Sequence, residues 1–462
     1  MTESSRLAVL VVGLGLSALL GGCESVDPSA EMALSARHIE ARTGQHVQWP
    51  WLAGGENGEV WDGRTELTAR QAVSLALMNS PAIRGDLARI AAARADLVQA
   101  GLLPNPVFGL WLGWGSGSAP DMLTATVMQS LSSLWLLPSR KEAAQADLQQ
   151  TVLRVSNSTI ALAARVEKTH RRVAYFQSLV PVLAEQREFL LRAQEAARAK
   201  LAAGMGISLD VNRIRAELLE VEVQQRSAGT DFAVEKRRLL EMLNRADGPA
   251  EWVAALDKDA NDASSVPGEA ALASLAKQYR LDLQAATWTV RAQQARLRES
   301  RLQALPNVDL GADVEREKGG GESMTTAGPS LRVEVPIFDQ GQARIAKARA
   351  ELERMLMDAQ AAKQKATLEV RESLRAFSNA ADQSKAYRIQ IVPLAEQNVR
   401  EAQAAFGTGE VDLLDLLMAQ RDWTKARSSL LKFELERDLA LIDLANAVGG
   451  RLVLEKAKKH PE

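Results

Sequence analysis

The chain carries one plan twice, so any fold it adopts must hold two similar halves. The motif Leu-Pro-Asn at residues 103–105 returns at 305–307, and a glycine followed six residues later by aspartate occurs at Gly204 and again at Gly409. The partners lie about 200 residues apart, and a period this long indicates a duplicated domain and not a solenoid. We therefore expect two repeats of similar architecture.

The N-terminus has the pattern of an export signal. Arg6 precedes a run of apolar and small residues that ends in Gly-Gly-Cys, and Cys23 is the only cysteine in the chain. The run is too short to span a bilayer, which takes about 20 apolar residues, and is typical of a cleaved signal. Small residues before a cysteine resemble the lipobox of bacterial lipoproteins, which implies lipidation of Cys23. The alternative is a plain secretory signal followed by a chance cysteine.

These observations divide the chain into six parts. We predict a lipoprotein signal peptide at 1–22, a lipid-anchored extended strap at 23–66, a first repeat at 67–244, an equatorial linker at 245–268, a second repeat at 269–450 and a C-terminal tail at 451–462.

Each repeat contains two runs in which apolar and polar residues alternate. They cover about 107–114 and 123–131 in the first repeat, and 308–315 and 326–335 in the second. Alternation with period two predicts strands with one apolar and one polar face. Runs of about ten residues fit transmembrane β-strands, although a soluble hairpin packed on a core would show the same pattern. The export signal favours lipid.

Four strands cannot close a barrel, and an open sheet edge inside a bilayer would leave backbone groups without hydrogen bonds. Strands in lipid must therefore be pooled with those of other copies, and three copies would supply twelve.

The rest of each repeat is predicted to be helical. Very long helices are expected at about 139–203 and 342–406, with shorter ones at 69–101, 209–243, 270–304 and 412–447. Apolar positions in the first long helix step by three and four, which is typical of a coiled coil. They are Val152, Val155, Thr159, Leu162, Val166, Thr169, Val173, Phe176, Val180 and Leu183. Pro181 and Pro393 should kink the long helices or locally open their hydrogen bonding.

The residues that would carry chemistry are missing from the sequence. Phosphate loops, nucleophile elbows and metal-binding pairs are not found, and the four histidines lie far apart. The formal net charge of −2 gives no reason to expect nucleic acid. We expect no enzyme activity, no cofactor and no bound metal.

The ordered motifs together resemble the TolC family of outer-membrane efflux proteins. They are the lipobox, Leu-Pro-Asn-Pro before a strand, Val-Pro-Ile-Phe-Asp-Gln-Gly at 335–341 before the long helix, and the glycine-aspartate spacing at the helix turn, within two similar halves. The resemblance implies a homotrimer in which long antiparallel coiled-coil helices form a periplasmic α-barrel below a 12-stranded outer-membrane β-barrel.

In function, the resemblance implies an exit duct of a tripartite efflux or type I-like secretion system. Its partners would be a periplasmic adaptor (membrane fusion) protein, an inner-membrane pump of the resistance-nodulation-division type, and outer-membrane lipid. The alternative is a periplasmic coiled-coil lipoprotein scaffold without a channel.

The resemblance also implies two sets of site residues. Asp415 and its counterpart Asp210 stand at the family's periplasmic gate, where Met418 replaces a second acidic residue. The other interpretation is that Asp412 and Asp415 favour the start of a helix through its dipole. The polar positions of the second hairpin, expected to face the lumen, are Asp309, Asp313, Glu315, Arg332 and Glu334. Their net negative charge suggests a cation-tolerant channel, or only solvation of a wet lumen.

Overall fold

A computed structural model describes residues 26–47, 49, 61–116, 120–248, 251–255, 266–319 and 322–451. The predicted signal peptide, Cys23 and all but the first residue of the predicted tail lie outside these ranges. The described chain is mainly helical with one four-stranded antiparallel sheet, as the alternation and the helical periodicity predicted. It divides into two compact units.

The first unit contains the sheet, whose strands follow one another in chain order. The strands are β1 (Val107–Gly113), β2 (Asp121–Ser130), β3 (Asn307–Gly319) and β4 (Glu322–Glu334). Because β2 pairs with β3, the hairpins of the two repeats form one continuous sheet. The unit also holds the helical segments at 88–100, 132–149, 291–302 and 342–353.

The second unit consists of helices. Over the described residues, the helices of the two units are α1 (Ser29–Thr43), α2 (Ala69–Asn79), α3 (Pro81–Ala100), α4 (Ser132–Ala202), α5 (Ser208–Met242), α6 (Glu269–Tyr279), α7 (Leu281–Leu302), α8 (Gln342–Ala386), α9 (Val392–Thr408) and α10 (Leu413–Val448). Of the ten predicted seam positions on α4, eight are buried, and Phe176 and Val180 are partly buried.

Among the described residues, two apolar clusters join helices of the second unit. One joins α6, α8 and α10 around the fully buried Leu272, Val370 and Leu444. The other joins α4, α5 and α10 around Leu190 and Ile214. Each fully buried side chain of this size stabilises the fold by about 1.5–3 kcal/mol, so the clusters fix which helix faces meet.

The helix predicted at 69–101 is in fact two helices, so this prediction was wrong. The break lies at Ser80, whose backbone is extended (φ −67°, ψ 121°). Pro81 causes it, since a proline disfavours helical backbone in the residue before it. Thr68 is the N-cap of α2 and forms a reciprocal pair of hydrogen bonds with Gln71.

The second repeat breaks at the matching position without a proline, so the single helix predicted at 270–304 was also wrong. Arg280 has the same extended backbone (φ −67°, ψ 122°) between α6 and α7. Its guanidinium pairs with Asp282 at 2.7 Å and Glu369 at 2.6 Å, and donates to the carbonyl of Ala447. A local ion pair with Asp282 and a tertiary one with Glu369 thus accompany a break that Pro81 explains in the first repeat.

The N-terminal strap was predicted to be extended, and this was wrong for residues 29–43, which form α1. Its sequence is rich in good helix formers, and Asp27 accepts a hydrogen bond from the backbone of Ser29. Ile39 is fully buried, and the Ser35 hydroxyl meets that of Ser156 on α4 at 2.9 Å. Helix propensity and burial on one face therefore outweigh the polar, glycine-containing average of the whole segment.

Proline acts differently in the two long helices. The predicted opening of the hydrogen bonding is confirmed near Pro393, where a π-helical segment, Tyr387–Ile391, separates α8 from α9. Around Pro181, by contrast, α4 continues as α-helix.

Candidate functional site

The sheet has one mainly polar face and one mainly apolar face. The register pairs Asp309 with Arg332, Asp313 with Gly328 and Glu315 with Thr326. Since facing residues in adjacent strands point to the same side, all five side chains predicted to line a lumen share one face, which we call the polar face. Its members on β3 and β4 include Asp309, Asp313, Glu315, Arg332 and Glu334.

The opposite, apolar face is largely uncovered. One row across the four strands is Phe108, Val127, Ala312 and Pro329, and the next is Leu110, Ala125, Val314 and Ala327. Phe108 is 71% exposed, Leu110 69% and Leu331 66%. A soluble hairpin packed on a core would bury these side chains, so a partner or solvent other than water must cover this face.

The outer edges of the sheet are also open. Within the described residues, β1 pairs only with β2, and β4 pairs only with β3. Each outer strand thus presents a row of backbone donors and acceptors, and such an edge is a template for another strand.

The predicted gate residue Asp415 lies in the first turn of α10. Asp412 is the N-cap of this helix and accepts a hydrogen bond from the Asp415 backbone at 3.0 Å, while the Asp415 carboxylate accepts from the Asp412 backbone at 3.4 Å. This reciprocal pair satisfies two helix N–H groups and gives Asp415 a structural role. Its carboxylate is nevertheless exposed, as is Met418 one turn further on.

Asp210 occupies the corresponding first turn of α5 but takes no part in a reciprocal pair. The N-cap there is Ile207, which has no side chain able to accept a hydrogen bond. Gly204 and Gly409 end the preceding helices with left-handed backbone, at φ of +74° and +81°. Glycine adopts this conformation without a steric cost, which explains its presence at both turns.

Sequence reasoning missed a set of polar side chains buried where α4, α5 and α10 meet. The Thr424 hydroxyl donates to the Gln186 amide at 2.7 Å, and both side chains are buried. Burial raises the pKa of Glu217, the charge of Arg421 opposes the rise, and Glu220 adds to it. The signal was present in the sequence, because Glu217 interrupts the apolar stripe formed by Ile214, Leu218 and Val221.

Two further structural findings concern metals and membranes. Among the residues that the structure describes, no three His, Cys, Asp or Glu side chains are grouped so as to hold a metal ion. No helix in the described ranges has both the length and the apolar character needed to cross a bilayer.

Comparison with known proteins shows which proteins this chain is similar to. Residues 272–450 match the family model "Outer membrane efflux protein". Nodulation protein T of Rhizobium leguminosarum bv. viciae is 22% identical over 93% of this chain and 90% of its own length. The cation efflux system protein CusC of Escherichia coli K12 is 25% identical over 40% of this chain and 42% of its own.

For CusC, the fold agrees over a longer stretch than the sequence. A crystal structure of CusC superimposes with a TM-score of 0.71 and 16% identity, covering 89% of this chain and 98% of that one. At this identity the likeness concerns the fold. The resemblance to the TolC-type outer-membrane efflux family is thus confirmed: residues 272–450 match the family's model, and the described chain has the fold of a solved channel of that type.

Proposed function

We propose that this chain is the exit duct of a tripartite efflux or type I-like secretion system in the outer membrane. Three copies pool their strands into a 12-stranded barrel, and the helices form a periplasmic α-barrel. A periplasmic adaptor and an inner-membrane pump, of the resistance-nodulation-division type, deliver the cargo. The chain itself carries out no reaction.

The observation that carries this proposal is the exposed apolar face together with the two open edges. Lipid tails would cover side chains such as Phe108 and Leu331, which are mostly exposed in the single chain. Pairing of β4 of one copy with β1 of the next would satisfy the backbone groups that a bilayer cannot hydrogen-bond. A scaffold lipoprotein without a channel gives no reason for either feature.

Lipidation at Cys23 fits the same arrangement. Ser29, the first residue of α1, is only six positions after Cys23. At about 3.4 Å per residue, this tether spans at most roughly 20 Å. Near the start of α1, Glu31 pairs with Arg94 on α3 at 3.6 Å, and α3 leads towards β1. An acyl anchor would therefore lie on the side of the unit where the membrane strands begin.

The polar face then lines the lumen, and Asp415 and Asp210 narrow its periplasmic end. Three copies of an exposed carboxylate around a narrow axis would attract cations and repel anions. Asp415→Ala should lower the cation selectivity of purified trimers in planar bilayers. Asp412→Ala is the matched control, since it removes the other hydrogen bond of the reciprocal pair but leaves the Asp415 carboxylate. Equal selectivity in native protein and Asp415→Ala would refute the gate role.

The proposed trimeric β-barrel is tested by two arginine substitutions on opposite faces of the sheet. Leu110→Arg puts a charge on the apolar face, at a cost of about 2–4 kcal/mol if it meets the bilayer midplane. Thr124→Arg puts the same charge on the polar face, in the row that contains Glu315. We expect native protein and Thr124→Arg to be extracted from outer membranes as heat-modifiable trimers, and Leu110→Arg to be depleted. A water-soluble native monomer, or equal assembly of both variants, would refute the duct and favour the scaffold.

A further inference from the structure

One row of the polar face differs in chemistry from the rest of the sheet. Met122 on β2 lies opposite Glu317 on β3, and Glu317 lies opposite Met324 on β4. Two thioethers therefore flank one carboxylate across three adjacent strands. We propose that Met122, Glu317 and Met324 bind a soft monovalent metal ion such as Cu(I) or Ag(I). The site goes beyond the proposed function, which assigns no bound ion to the duct. It also does not depend on the trimer, because a single chain supplies all three side chains.

The spacing of the strands suits an ion held between the two sulfurs. Strands lie about 4.8 Å apart, so the backbones at Met122 and Met324 are separated by roughly 10 Å. Each Sδ is two bonds beyond its Cβ, which lets both sulfurs lean inward over Glu317. An ion above Glu317 would then meet a thioether from each side and a carboxylate oxygen from below.

The end of the row at β1 is closed by an aromatic ring. Gly113 faces Met122, and a Cβ at Gly113 would collide with the indole ring of Trp111. Trp111 therefore lies over the glycine, beside Met122, and occupies the place of a fourth side chain in the row. Sulfur packs favourably against aromatic rings, and an indole face attracts cations, so the ring shields the ion without competing as a donor.

The three side chains favour a metal ion that is soft and carries a single positive charge. Thioethers favour Cu(I) over the hard divalent cations, which prefer sites built from oxygen. Glu317 carries the one negative charge that a monovalent ion needs, and Glu315 on the same face adds to the negative field. Arg316 and Lys318 lie on the opposite face because side chains alternate along β3. Met324 is 66% exposed, so an ion can reach the row.

The test is equilibrium dialysis of Ag(I), a redox-stable stand-in for Cu(I), against the purified full-length protein in detergent. The site variant is Met122→Leu with Met324→Leu, and the matched control is Met128→Leu with Met357→Leu. Both variants lose two methionines by a substitution that conserves volume. We expect the site variant to bind one Ag(I) fewer per chain than the native protein, and the control to match the native protein. Equal binding by both variants would overturn the proposal.

A third variant separates a thioether site from a carboxylate site. Glu317→Gln should weaken Ag(I) binding by at least the roughly tenfold that even an outer ligand contributes. The Met122→Leu, Met324→Leu variant should not change the binding of Mn(II), an ion that prefers oxygen. If Glu317→Gln abolished Mn(II) binding while the methionine variant bound Ag(I) as the native protein does, the row would be a carboxylate site and the proposal would fail. Because methionine-to-leucine changes leave the strands intact, either result can be read separately from trimer formation.

Discussion

Replacing Arg280 with glutamine should loosen the junction between α6 and α7. The guanidinium forms a two-pronged pair with Asp282, contacts Glu369 on α8 and donates to the carbonyl of Ala447 on α10. Burial alone would lower the pKa of Arg280, but the hydrogen bonds and charges of Asp282 and Glu369 raise it above its ordinary value. The arginine is therefore held as a cation between three helices.

The cost of the substitution follows from the exposure of the partners. Removing one member of a buried ion pair costs about 3–5 kcal/mol, because the remaining charge has lost its counterion. The Arg280 side chain is 12% exposed, whereas those of Asp282 and Glu369 are 39% and 34% exposed and keep some contact with water. We therefore expect the lower end, about 3 kcal/mol, which corresponds to a roughly 100-fold change in a local opening equilibrium.

Hydrogen exchange measures this opening directly. Backbone amides at the end of α6 and the start of α7 should exchange roughly 100-fold faster in Arg280→Gln, while those of the cluster around Leu190 stay unchanged. Arg280→Lys should recover only part of the protection, because an ammonium group cannot make the two-pronged pair. Arg349→Gln, at an exposed arginine on α8, is the control for loss of a positive charge. Unchanged exchange at the junction in Arg280→Gln would show that the ion pairs do not hold the break.

Three other substitutions test local features. The pKa of Glu217 is raised in the folded protein, which therefore favours the protonated side chain. This preference stabilises the fold below the usual pKa of 4.5, and the contribution is lost as the pH rises through the raised value. Glu217→Gln should therefore be more stable to urea than the native protein at pH 7 and equally stable at pH 4. Asp412→Ala removes the N-cap of α10 at a cost of about 1 kcal/mol, and amides in the first turn should exchange roughly fivefold faster. The buried Lys236 donates to the carbonyl of Trp252 at 2.5 Å, so Lys236→Met should make Trp252 more accessible to acrylamide quenching, and unchanged quenching would count against this contact as an anchor.

Periodicity predicted the strands and long helices because both depend on local pattern. Alternation in the second repeat placed β3 and β4 where the structure has them, although both strands extend further towards their turn. The apolar steps of three and four on α4 predicted its buried seam, since residues at this spacing share one helix face. Likewise, the face shared by Asp309 and Glu315 followed from period two alone.

Features that depend on tertiary contacts were not predictable in the same way. The break at Arg280 has no local cause such as Pro81, and its partner Glu369 is distant in sequence. Helix α1 was missed because its stability comes partly from burial of Ile39 and a contact with Ser156. Register, too, is a tertiary property, so the row that joins Met122 to Met324 emerges only once β2 is paired with β3.

The two repeats keep a common architecture but have diverged in chemistry. On the polar face, β1 and β2 carry no charged side chain, since Val107, Gly109, Trp111 and Gly113 face the uncharged residues of β2. The charges of this face lie on β3 and β4, among them Asp313 and Arg332. Architecture is duplicated because packing needs only apolar residues at the right period, and many sequences meet that need. The polar positions are free of this constraint, so the fold of one repeat can be inferred from the other while its site residues cannot.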